Sequence, residues 1–286
     1  MPIISLKNVT HTYSDGTPLS VSAIKNINLD IEDGELVGII GHTGSGKSTL
    51  VQHLNGLLKP SEGIVEVDGE DIWANKKKIR SIRFKVGLCF QYPEYQLFEE
   101  TVFKDISFGP RNMGMSNEDI ESSVLRAAEY VGLKKSLLDK SPFDLSGGEK
   151  RRAAIAGVMA MNPKILILDE PTAGLDPRGR QEILNMIVDY RRKTGSTVLL
   201  VSHSMEDIAG IATKILVMNK SQVAMYDTVE NVFSRASELE KMGLNVPQVT
   251  RVFMKLKEKG LDIATDVYTV NEGCNRLVSL LKGGKC

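Results

Sequence analysis

The chain has 286 residues, with 36 Lys and Arg side chains balanced by 36 Asp and Glu side chains. Because nucleic-acid binding usually requires a surplus of basic residues, this balance argues against a nucleic acid as the main partner. The length suffices for one large or two smaller domains with a core that needs no disulfides or metal ions.

The cysteines and the hydropathy pattern further restrict the class of protein to which the chain can belong. Cys89, Cys274 and Cys286 are odd in number and follow no zinc-binding spacing, which indicates a reducing compartment without disulfides. The first residues carry no basic stretch followed by an apolar signal segment, and no run of about 18 apolar residues could span a bilayer. We therefore expect any membrane contact to go through a partner.

Two stretches that alternate apolar and polar residues, 3–13 and 21–31, flank a Ser14-Asp15-Gly16 turn. Alternation predicts strands with one buried face, and the turn predicts that they pair in antiparallel fashion. Residues 63–67 continue the pattern. The sequence therefore predicts an antiparallel β-subdomain near the start of the chain.

Residues 36–40 form a continuous apolar run, which is typical of a strand buried on both faces. The run leads into Gly41-His42-Thr43-Gly44-Ser45-Gly46-Lys47-Ser48, which fits G-x-x-x-x-G-K-[ST]. In this pattern loop N–H groups surround nucleotide phosphates, the lysine reaches the β and γ oxygens, and the serine coordinates Mg²⁺. We predict a site for a nucleotide and Mg²⁺ here, with Thr49 as a further contact.

A helical lobe is predicted from residue 92 to about residue 162. Within it, Ser116 and Asp119 have capping-box spacing before a helix over 117–131. At its entrance, Gln91 could reach Mg²⁺ or water, or be an ordinary exposed loop residue. Tyr13 also has two interpretations, an aromatic surface for adenine or a half-buried strand residue.

The lobe contains the segment Leu145-Ser146-Gly147-Gly148-Glu149-Lys150-Arg151-Arg152, in which a Ser-Gly-Gly turn opens an apolar helix. The free N–H groups at a helix start favour anions. This is a second predicted anion-binding element, well separated in sequence from the first.

A second buried strand over residues 165–168 ends in Asp169-Glu170. Asp169, at the strand end, is placed to hold the Mg²⁺ shell. Because successive strand residues point to opposite sides, we expect Glu170 to face the other way, toward water. There it would polarise the attacking water; the alternative is a solvated loop carboxylate.

A third buried strand over residues 197–201 leads into Ser202-His203. This position predicts that the His203 imidazole lies near the γ-phosphate and Glu170, whereas His11 and His53 have no comparable place. Each of the three buried strands is followed directly by candidate binding or catalytic residues. This arrangement indicates one parallel sheet whose ligands bind at its carboxyl edge. The predicted fold class is α/β, a P-loop NTPase.

After about residue 235 the chain changes to a tail with two predicted helices. The first starts at Pro247 and carries an apolar face of Val249, Val252, Phe253 and Leu256. Thr269 and Glu272 have capping-box spacing before the second, whose apolar stripe is Val270, Cys274, Leu277 and Leu281, ending before Gly283-Gly284. We predict a nucleotide-binding domain over 1–235 and a helical extension over 236–286.

In order and approximate spacing, the motifs resemble those of the ATP-binding-cassette ATPases, over about residues 1–235. They are 41–48, Gln91, 145–149, Asp169-Glu170, Ala173-Gly174-Leu175-Asp176 and His203. The resemblance implies that two cassettes meet head to tail and that the signature of one completes the ATP site of the other. Ser146, Gly147, Gly148 and Asp176 would then contact ATP held by a partner.

The same resemblance implies catalytic roles for Lys47, Gln91, Glu170 and His203, and metal ligation by Ser48, Gln91 and Asp169. Glu149 departs from the glutamine found in many cassettes, although Glu-Lys-Arg-Arg variants occur among importer ATPases. A binding-only cassette would usually have lost Glu170 or His203, and both are present.

Finer features resemble the ATPases of energy-coupling factor transporters. They are Gly41-His42-Thr43-Gly44 and the segments 52–57, 91–98 and 108–112. Such ATPases form pairs on the cytoplasmic face of the cell membrane, bound to a transmembrane coupling protein that serves membrane proteins capturing vitamins or cobalt and nickel ions. The resemblance implies these partners and a second related ATPase in a homodimer or heterodimer. The His-Thr-Gly form of the phosphate loop and the tail indicate the second ATPase of a heterodimer, with tail helices packed between the two ATPases.

Two further points stay open at this level. Tyr92, Tyr95, Leu97 and Phe98 are expected to line a groove for a coupling helix, or else to be ordinary lobe core.

A soluble cassette ATPase acting on ribosomes or nucleic acid is the alternative function, and a regulatory nucleotide-binding module is a third. The single cassette, the absence of long heptad tracts and the zero net charge argue against the soluble alternative.

Overall fold

A computed structural model describes residues 1–14 and 16–282. Its strands are β1 (Ile4–Tyr13), β2 (Val21–Ile31), β3 (Leu36–Ile40), β4 (Glu62–Val67), β5 (Glu70–Asp71), β6 (Val86–Cys89), β7 (Ile165–Asp169), β8 (Thr197–Val201), β9 (Lys214–Asn219) and β10 (Gln222–Thr228). Its helices are α1 (Lys47–Leu54), α2 (Ile79–Lys85), α3 (Val102–Met113), α4 (Asn117–Tyr130), α5 (Gly147–Met159), α6 (Pro177–Thr194), α7 (Met205–Ile211), α8 (Val229–Phe233), α9 (Ala236–Lys241), α10 (Gln248–Glu258) and α11 (Val270–Leu281). Asp15, Cys286 and the Gly283-Gly284 pair lie outside the described residues.

The larger sheet has the strand order β10-β9-β3-β8-β7-β6. Within it, β3 is parallel to β8 and β9, β7 is parallel to β6 and β8, and β10 is antiparallel to β9. The predicted buried strands are confirmed as β3, β7 and β8. Because these strands are parallel, the residues that follow them, Gly41, Glu170 and Ser202, lie at the same edge.

The smaller sheet has the order β2-β1-β4-β5, all antiparallel, which confirms the predicted β-subdomain. It packs over helix α1 and one face of β3, where Val37 and Ile39 share a buried cluster with Leu50 of α1. In the β1–β2 pairing Tyr13 lies opposite Val21. The start of β2 is therefore beside the end of β1.

The opposite face of the central sheet packs against helices. Leu36 and Ile40 of β3 alternate with the residues of the first face and share a second buried cluster with side chains of α3, α4, α5 and α6. Helices α3, α4 and α5 form the predicted helical lobe between β6 and β7. The Ser116 side chain accepts a hydrogen bond from the Asp119 N–H, which confirms the predicted cap of α4.

The tail contains both predicted helices, α10 and α11, and the capping box at the start of α11 is formed. The tail has a small apolar cluster of its own, formed by Phe253, Ile263 and Val267. Val252 is 49 % exposed, so the buried face of α10 is narrower than predicted. The chain around Ile263 and Val267 covers the Phe253 side of the helix and leaves Val252 uncovered.

On α11, Leu277 packs against the tail cluster, whereas Val270, Cys274 and Leu281 are exposed. Earlier in the extension, Leu239 and Leu244 are buried in the main core, so its first part packs with the cassette itself. In the described part of the chain, no helix combines the length and apolar character needed to cross a membrane. The domain boundary at residue 235 stays a prediction.

Candidate nucleotide site

The phosphate-loop segment 41–48 connects the end of β3 to α1, which begins at Lys47. Two of its glycines are required by close approach of other backbone. A Cβ at Gly41 would lie 2.4 Å from the carbonyl oxygen of Met218, and a Cβ at Gly46 (φ +101°) would lie 2.5 Å from that of Ala23. A side chain at either position would force the loop away from its neighbours.

The Lys47 ammonium group turns back onto the loop. Its Nζ donates hydrogen bonds to the carbonyl oxygens of Gly41 at 2.6 Å and His42 at 3.1 Å. Burial lowers the pKa of Lys47, and the carboxylates of Glu170 and Asp169 oppose that shift. Since an anionic oxygen is a stronger acceptor than a carbonyl, phosphate would compete well for this ammonium group.

A cavity of about 430 Å³ lies beside the loop. It is lined by most of the predicted site residues, namely Tyr13, Thr43, Gly44, Gly46, Lys47, Ser48, Thr49, Gln91, Asp169, Glu170 and His203. Four further lining residues were not predicted: Val21, Ser22, Ala23 and Val201. Val21, Ser22 and Ala23 reach the cavity because Val21 pairs with Tyr13 across β1 and β2. A sequence prediction that included this strand register would have identified these three residues.

The cavity is not lined by Gly41, His42 or Ser45, which the phosphate-loop pattern also predicted. Gly41 and His42 line a neighbouring cavity of about 410 Å³, together with Thr43 and His203. Ser45 is completely buried, and its hydroxyl makes no hydrogen bond among the described residues. A phosphate loop binds phosphate mainly through its backbone N–H groups. Gly41, His42 and Ser45 can therefore take part in binding without a side chain that faces the ligand.

Ser48 and Asp169 provide adjacent oxygen donors. Ser48 Oγ donates a hydrogen bond to Asp169 Oδ2 at 3.4 Å. Burial raises the pKa of Asp169, while Ser48 and Lys47 oppose the shift. Over residues 1–14 and 16–282, no group of three or more His, Cys, Asp or Glu side chains could hold a metal by itself. One hydroxyl and one carboxylate fit Mg²⁺, which commonly takes its other ligands from phosphate and water.

Glu170 does not face away from Asp169 as predicted. Strand β7 ends at Asp169, and Glu170 adopts a left-handed backbone with φ 53°. Both carboxylates therefore line the same cavity, and the argument from strand alternation was wrong. The Glu170 side chain is only 12 % exposed, and its buried Oε1 makes no hydrogen bond within the described residues.

The environment of Glu170 makes its carboxylate a stronger base than usual. Burial, followed by the charge of Asp169, raises the pKa of Glu170 to about 7. His203 Nε2 lies 3.5 Å from Glu170 Oε1. Burial and the Lys47 charge lower the pKa of His203, so its imidazole is neutral at neutral pH. A carboxylate and a neutral imidazole that line the same cavity at this distance can both contact one water molecule beside them.

Tyr13 and Gln91 both present exposed surface to the cavity. Tyr13 is 41 % exposed, and its hydroxyl oxygen lies 3.3 Å from Thr49 Oγ1. The Tyr13 ring packs edge-on against His11, with centroids 4.6 Å apart. Gln91 is exposed in the loop after β6. Their roles in binding stay predictions.

The signature residues are not part of this cavity. Ser146 caps α5 in a capping box with Glu149, whose carboxylate accepts hydrogen bonds from the Ser146 N–H at 2.9 Å and hydroxyl at 2.7 Å. A Cβ at Gly147 or Gly148 would meet no atom within 4 Å. Nothing inside the described chain therefore requires glycine at these two positions. Asp176 also lies outside the cavity and caps α6 through the Gly179 N–H at 2.7 Å.

A separate cavity of about 360 Å³ lies on the helical lobe. Leu97 and Phe98 line it, and the Phe98 ring meets Phe108 edge to face at 5.1 Å. Tyr92 and Tyr95 do not line it, and Tyr95 is 85 % exposed. The prediction of one groove lined by all four residues was wrong for the tyrosines: Tyr92 caps the 3₁₀ turn at Pro93–Gln96 and Tyr95 lies within it, and neither lines the cavity that Leu97 and Phe98 line.

A family model described as ABC transporter matches residues 24–173. This range includes the phosphate loop, Gln91, the signature and the Asp169-Glu170 pair. The chain belongs to the ABC transporter family. Its prediction as an ATP-binding-cassette ATPase with a P-loop NTPase fold is confirmed.

Relatives of this cassette match along its whole length. The energy-coupling factor transporter ATP-binding protein EcfA2 of Caldanaerobacter subterraneus subsp. tengcongensis is 56 % identical, covering 100 % of this chain and 99 % of its own. The EcfA2 protein of Clostridium acetobutylicum is 53 % identical, covering 100 % of both. Neither relative is named as a ribosomal or nucleic-acid factor.

Solved cassettes share the fold. The cbiO1 protein of Clostridium perfringens, described as part of the ABC transporter complex cbiONQ, has a TM-score of 0.75 and 38 % identity, covering 87 % of this chain and 97 % of its own. A dimeric ATP-binding cassette in a post-hydrolysis state, bound to ADP and Pi, has a TM-score of 0.70 and 30 % identity, covering 79 % of this chain and 98 % of its own.

Proposed function

We propose that this cassette is the ATP-hydrolysing subunit of an energy-coupling factor importer. The observation that carries the proposal is 56 % identity over the full length to an energy-coupling factor transporter ATP-binding protein. The cavity where the phosphate loop meets Asp169, Glu170 and His203 supports the hydrolytic part. In this role the protein is a peripheral subunit on the cytoplasmic face of the cell membrane.

ATP and Mg²⁺ are the proposed ligands. The N–H groups of residues 41–48 and the Lys47 ammonium bind the phosphates, and the Tyr13 ring stacks on adenine. Ser48, Gln91 and Asp169 hold Mg²⁺, which when bound neutralises charge on the phosphate oxygens.

Hydrolysis is assigned to groups already close together in the cavity. Glu170 accepts a hydrogen bond from the attacking water and, with its raised pKa, can take up a proton. The neutral His203 imidazole holds the water and γ-phosphate in line. Lys47 stabilises the charge that develops on the γ-phosphate oxygens.

The signature residues serve a second related ATPase in this proposal. Gly147 and Gly148, which follow the cap Ser146, present free N–H groups in the first turn of α5, and Asp176 caps the start of α6. Two cassettes close over two ATP molecules and reopen after hydrolysis. The exposed apolar residues Val270, Cys274 and Leu281 on α11 support contact between the tails of the two ATPases.

The helical-lobe cavity supplies the contact with a transmembrane coupling protein. Leu97, Phe98 and Phe108 form an apolar surface suited to an amphipathic helix. A membrane substrate-capture protein completes the importer and takes a vitamin or a transition-metal ion as its solute. Cassette closure moves the lobe and so transfers the energy of hydrolysis to the coupling helix.

Copurification tests this function. The full chain is purified with its complex from detergent-solubilised membranes, and the bound subunits are identified by mass spectrometry. We expect a second cassette ATPase, a polytopic coupling protein and a substrate-capture protein. Copurification with ribosomes or nucleic acid and no membrane protein would contradict the proposal.

Phe98→Asp is expected to separate ATP hydrolysis from membrane assembly. Since Phe98 is 60 % exposed and outside the nucleotide cavity, the variant should fold and hydrolyse ATP in the cassette pair. A charge in the apolar groove should prevent docking of the coupling helix. The measurement is pull-down of the coupling protein together with solute uptake, with Ile64→Asp on β4 as an exposed apolar control. Normal assembly and uptake by the Phe98 variant would refute the docking role.

Tyr13→Ala is expected to weaken ATP binding by about 5- to 150-fold, since stacking of a base on an aromatic ring contributes about 1 to 3 kcal/mol. Tyr13→Phe keeps the ring and loses only the hydroxyl contact with Thr49, so its Kd should stay near that of the unmodified protein. Isothermal titration with ATP and Mg²⁺ measures both variants. Equal affinity of Tyr13→Ala and Tyr13→Phe would exclude adenine stacking.

A further inference from the structure

Arg151 is an unusually well-connected buried cation outside the nucleotide cavity. It lies on α5, and its side chain is 5 % exposed. Its guanidinium binds the Glu94 carboxylate in a two-pronged pair, with Nε to Oε2 at 3.0 Å and Nη2 to Oε1 at 2.6 Å. The Glu94 side chain is itself 15 % exposed. Such a planar pair fixes orientation as well as distance.

The third arm of Arg151 binds a different segment. Nη1 donates hydrogen bonds to the carbonyl oxygens of Pro171 at 3.3 Å and Ala173 at 2.6 Å. Pro171 directly follows Glu170, and Ala173 lies in the loop that leads to Asp176. One guanidinium therefore joins α5 to the loop that carries the proposed catalytic base.

Each of the three joined segments carries a proposed functional group. Glu94 belongs to the turn that follows Gln91, Arg151 belongs to the helix that Ser146 opens, and the two carbonyls lie between Glu170 and Asp176. Gln91 and Glu170 act on this subunit's own ATP in the proposed function. Ser146 and Asp176 act on the partner's ATP. The Arg151 network is thus a direct physical connection between the two sets.

Stability alone is a weak reason for burying this pair. Buried ion pairs can often be replaced by apolar residues of similar size without loss of stability, because desolvation offsets the attraction between the charges. A positional role for the pair is consistent with its geometry, since a guanidinium can satisfy a carboxylate and two carbonyls in one plane and an ammonium cannot.

We propose that Arg151 and Glu94 form a positioning pair that keeps the Gln91 turn, the signature helix and the loop after Glu170 in one arrangement. The groups acting on this subunit's ATP and those presented to its partner then move together. This inference rests on the proposed function. Neither residue touches the reacting atoms, so both act through their neighbours.

The test uses the full-length chain assembled with its copurified partner ATPase. Arg151→Lys keeps the charge and loses the two-pronged geometry, and the double variant Glu94→Met with Arg151→Met removes the pair while keeping an apolar fill. Arg235→Lys is the matched control, because Arg235 makes the same two-pronged contact with Glu238 on the exposed surface. Each variant is measured for melting temperature, ATP affinity and kcat.

We expect both pair variants to lower kcat by about 5- to 150-fold while the Kd for ATP changes by less than about threefold. The double variant should show this loss even at an unchanged melting temperature, and the control should match the unmodified protein. A stable double variant whose kcat equals that of the unmodified protein would show that the pair only packs the core. A Kd that rises in parallel with the fall in kcat would also overturn the proposal.

The unmodified chain and Glu170→Gln are measured in the same assay. If those two hydrolyse ATP equally slowly, the proposed function fails and the positioning pair fails with it. If they differ as expected while the pair variants match the unmodified protein, only the positioning role is refuted. Should the double variant not fold, Arg151→Lys supplies the same comparison of kcat with Kd.

Discussion

Replacing Glu170 by glutamine is expected to lower ATP turnover by about 10² to 10⁴, the usual contribution of a positioned general base. The amide keeps the size of the side chain but cannot take a proton from water. ATP binding should persist, because Lys47 and the loop N–H groups are unchanged. The substitution also removes a buried carboxylate beside Asp169, so the melting temperature should not fall.

The measurement is steady-state phosphate release by the assembled cassette pair, combined with ATP titration of the same samples. Glu66→Gln on β4 is the matched control, since that carboxylate pairs with Lys7 on the surface of the smaller sheet. Turnover of Glu170→Gln within about threefold of the unmodified protein would exclude general-base catalysis by this residue. A loss of ATP affinity that accounts for the whole effect would reassign Glu170 to binding.

Gly147→Asp is expected to lower ATP hydrolysis by the cassette pair strongly without destabilising the fold of the chain that carries the substitution. A Cβ at Gly147 meets nothing within 4 Å, so the substitution causes no clash inside the described chain. An acidic residue in the first turn of α5 is favourable for the helix. Its charge would nevertheless face the phosphates of the partner's ATP, and loss of the aligned donors should cost about 10² to 10³ in rate.

Gly210→Asp is the control for this substitution. Gly210 is also helical and exposed, and a Cβ there also meets nothing within 4 Å. We expect Gly147→Asp to bind ATP at its own site with unchanged affinity while phosphate release by the pair falls by about 10² to 10³. Full hydrolysis by a pair in which both signatures carry the substitution would contradict sharing of the site.

Local patterns in the sequence predicted the framework of the fold. Continuous apolar runs identified β3, β7 and β8, because strands covered on both faces cannot accept polar residues. Short-range chemistry identified the caps at Ser116 and Thr269, because a cap depends only on residues within one helical turn.

The failures came from backbone geometry and from contacts distant in sequence. Strand alternation predicted the wrong direction for the Glu170 side chain. The neighbouring residues in the sequence do not indicate the left-handed backbone that follows β7 at Glu170. Val21 and its neighbours reach the cavity through pairing with β1, a register that the alternating pattern left unassigned. The Arg151–Glu94 pair joins residues far apart in the chain and has no local signature.

The central claim is that an ATP site of this protein is complete only when a second cassette supplies its signature. The most direct measurement is ATP hydrolysis per subunit over a range of protein concentrations, alone and with the copurified partner ATPase, with assembly followed by analytical ultracentrifugation on the same samples. We expect hydrolysis to rise in proportion to the fraction of subunits in cassette pairs and to approach zero for the monomer. Undiminished hydrolysis by a strictly monomeric chain would contradict the account.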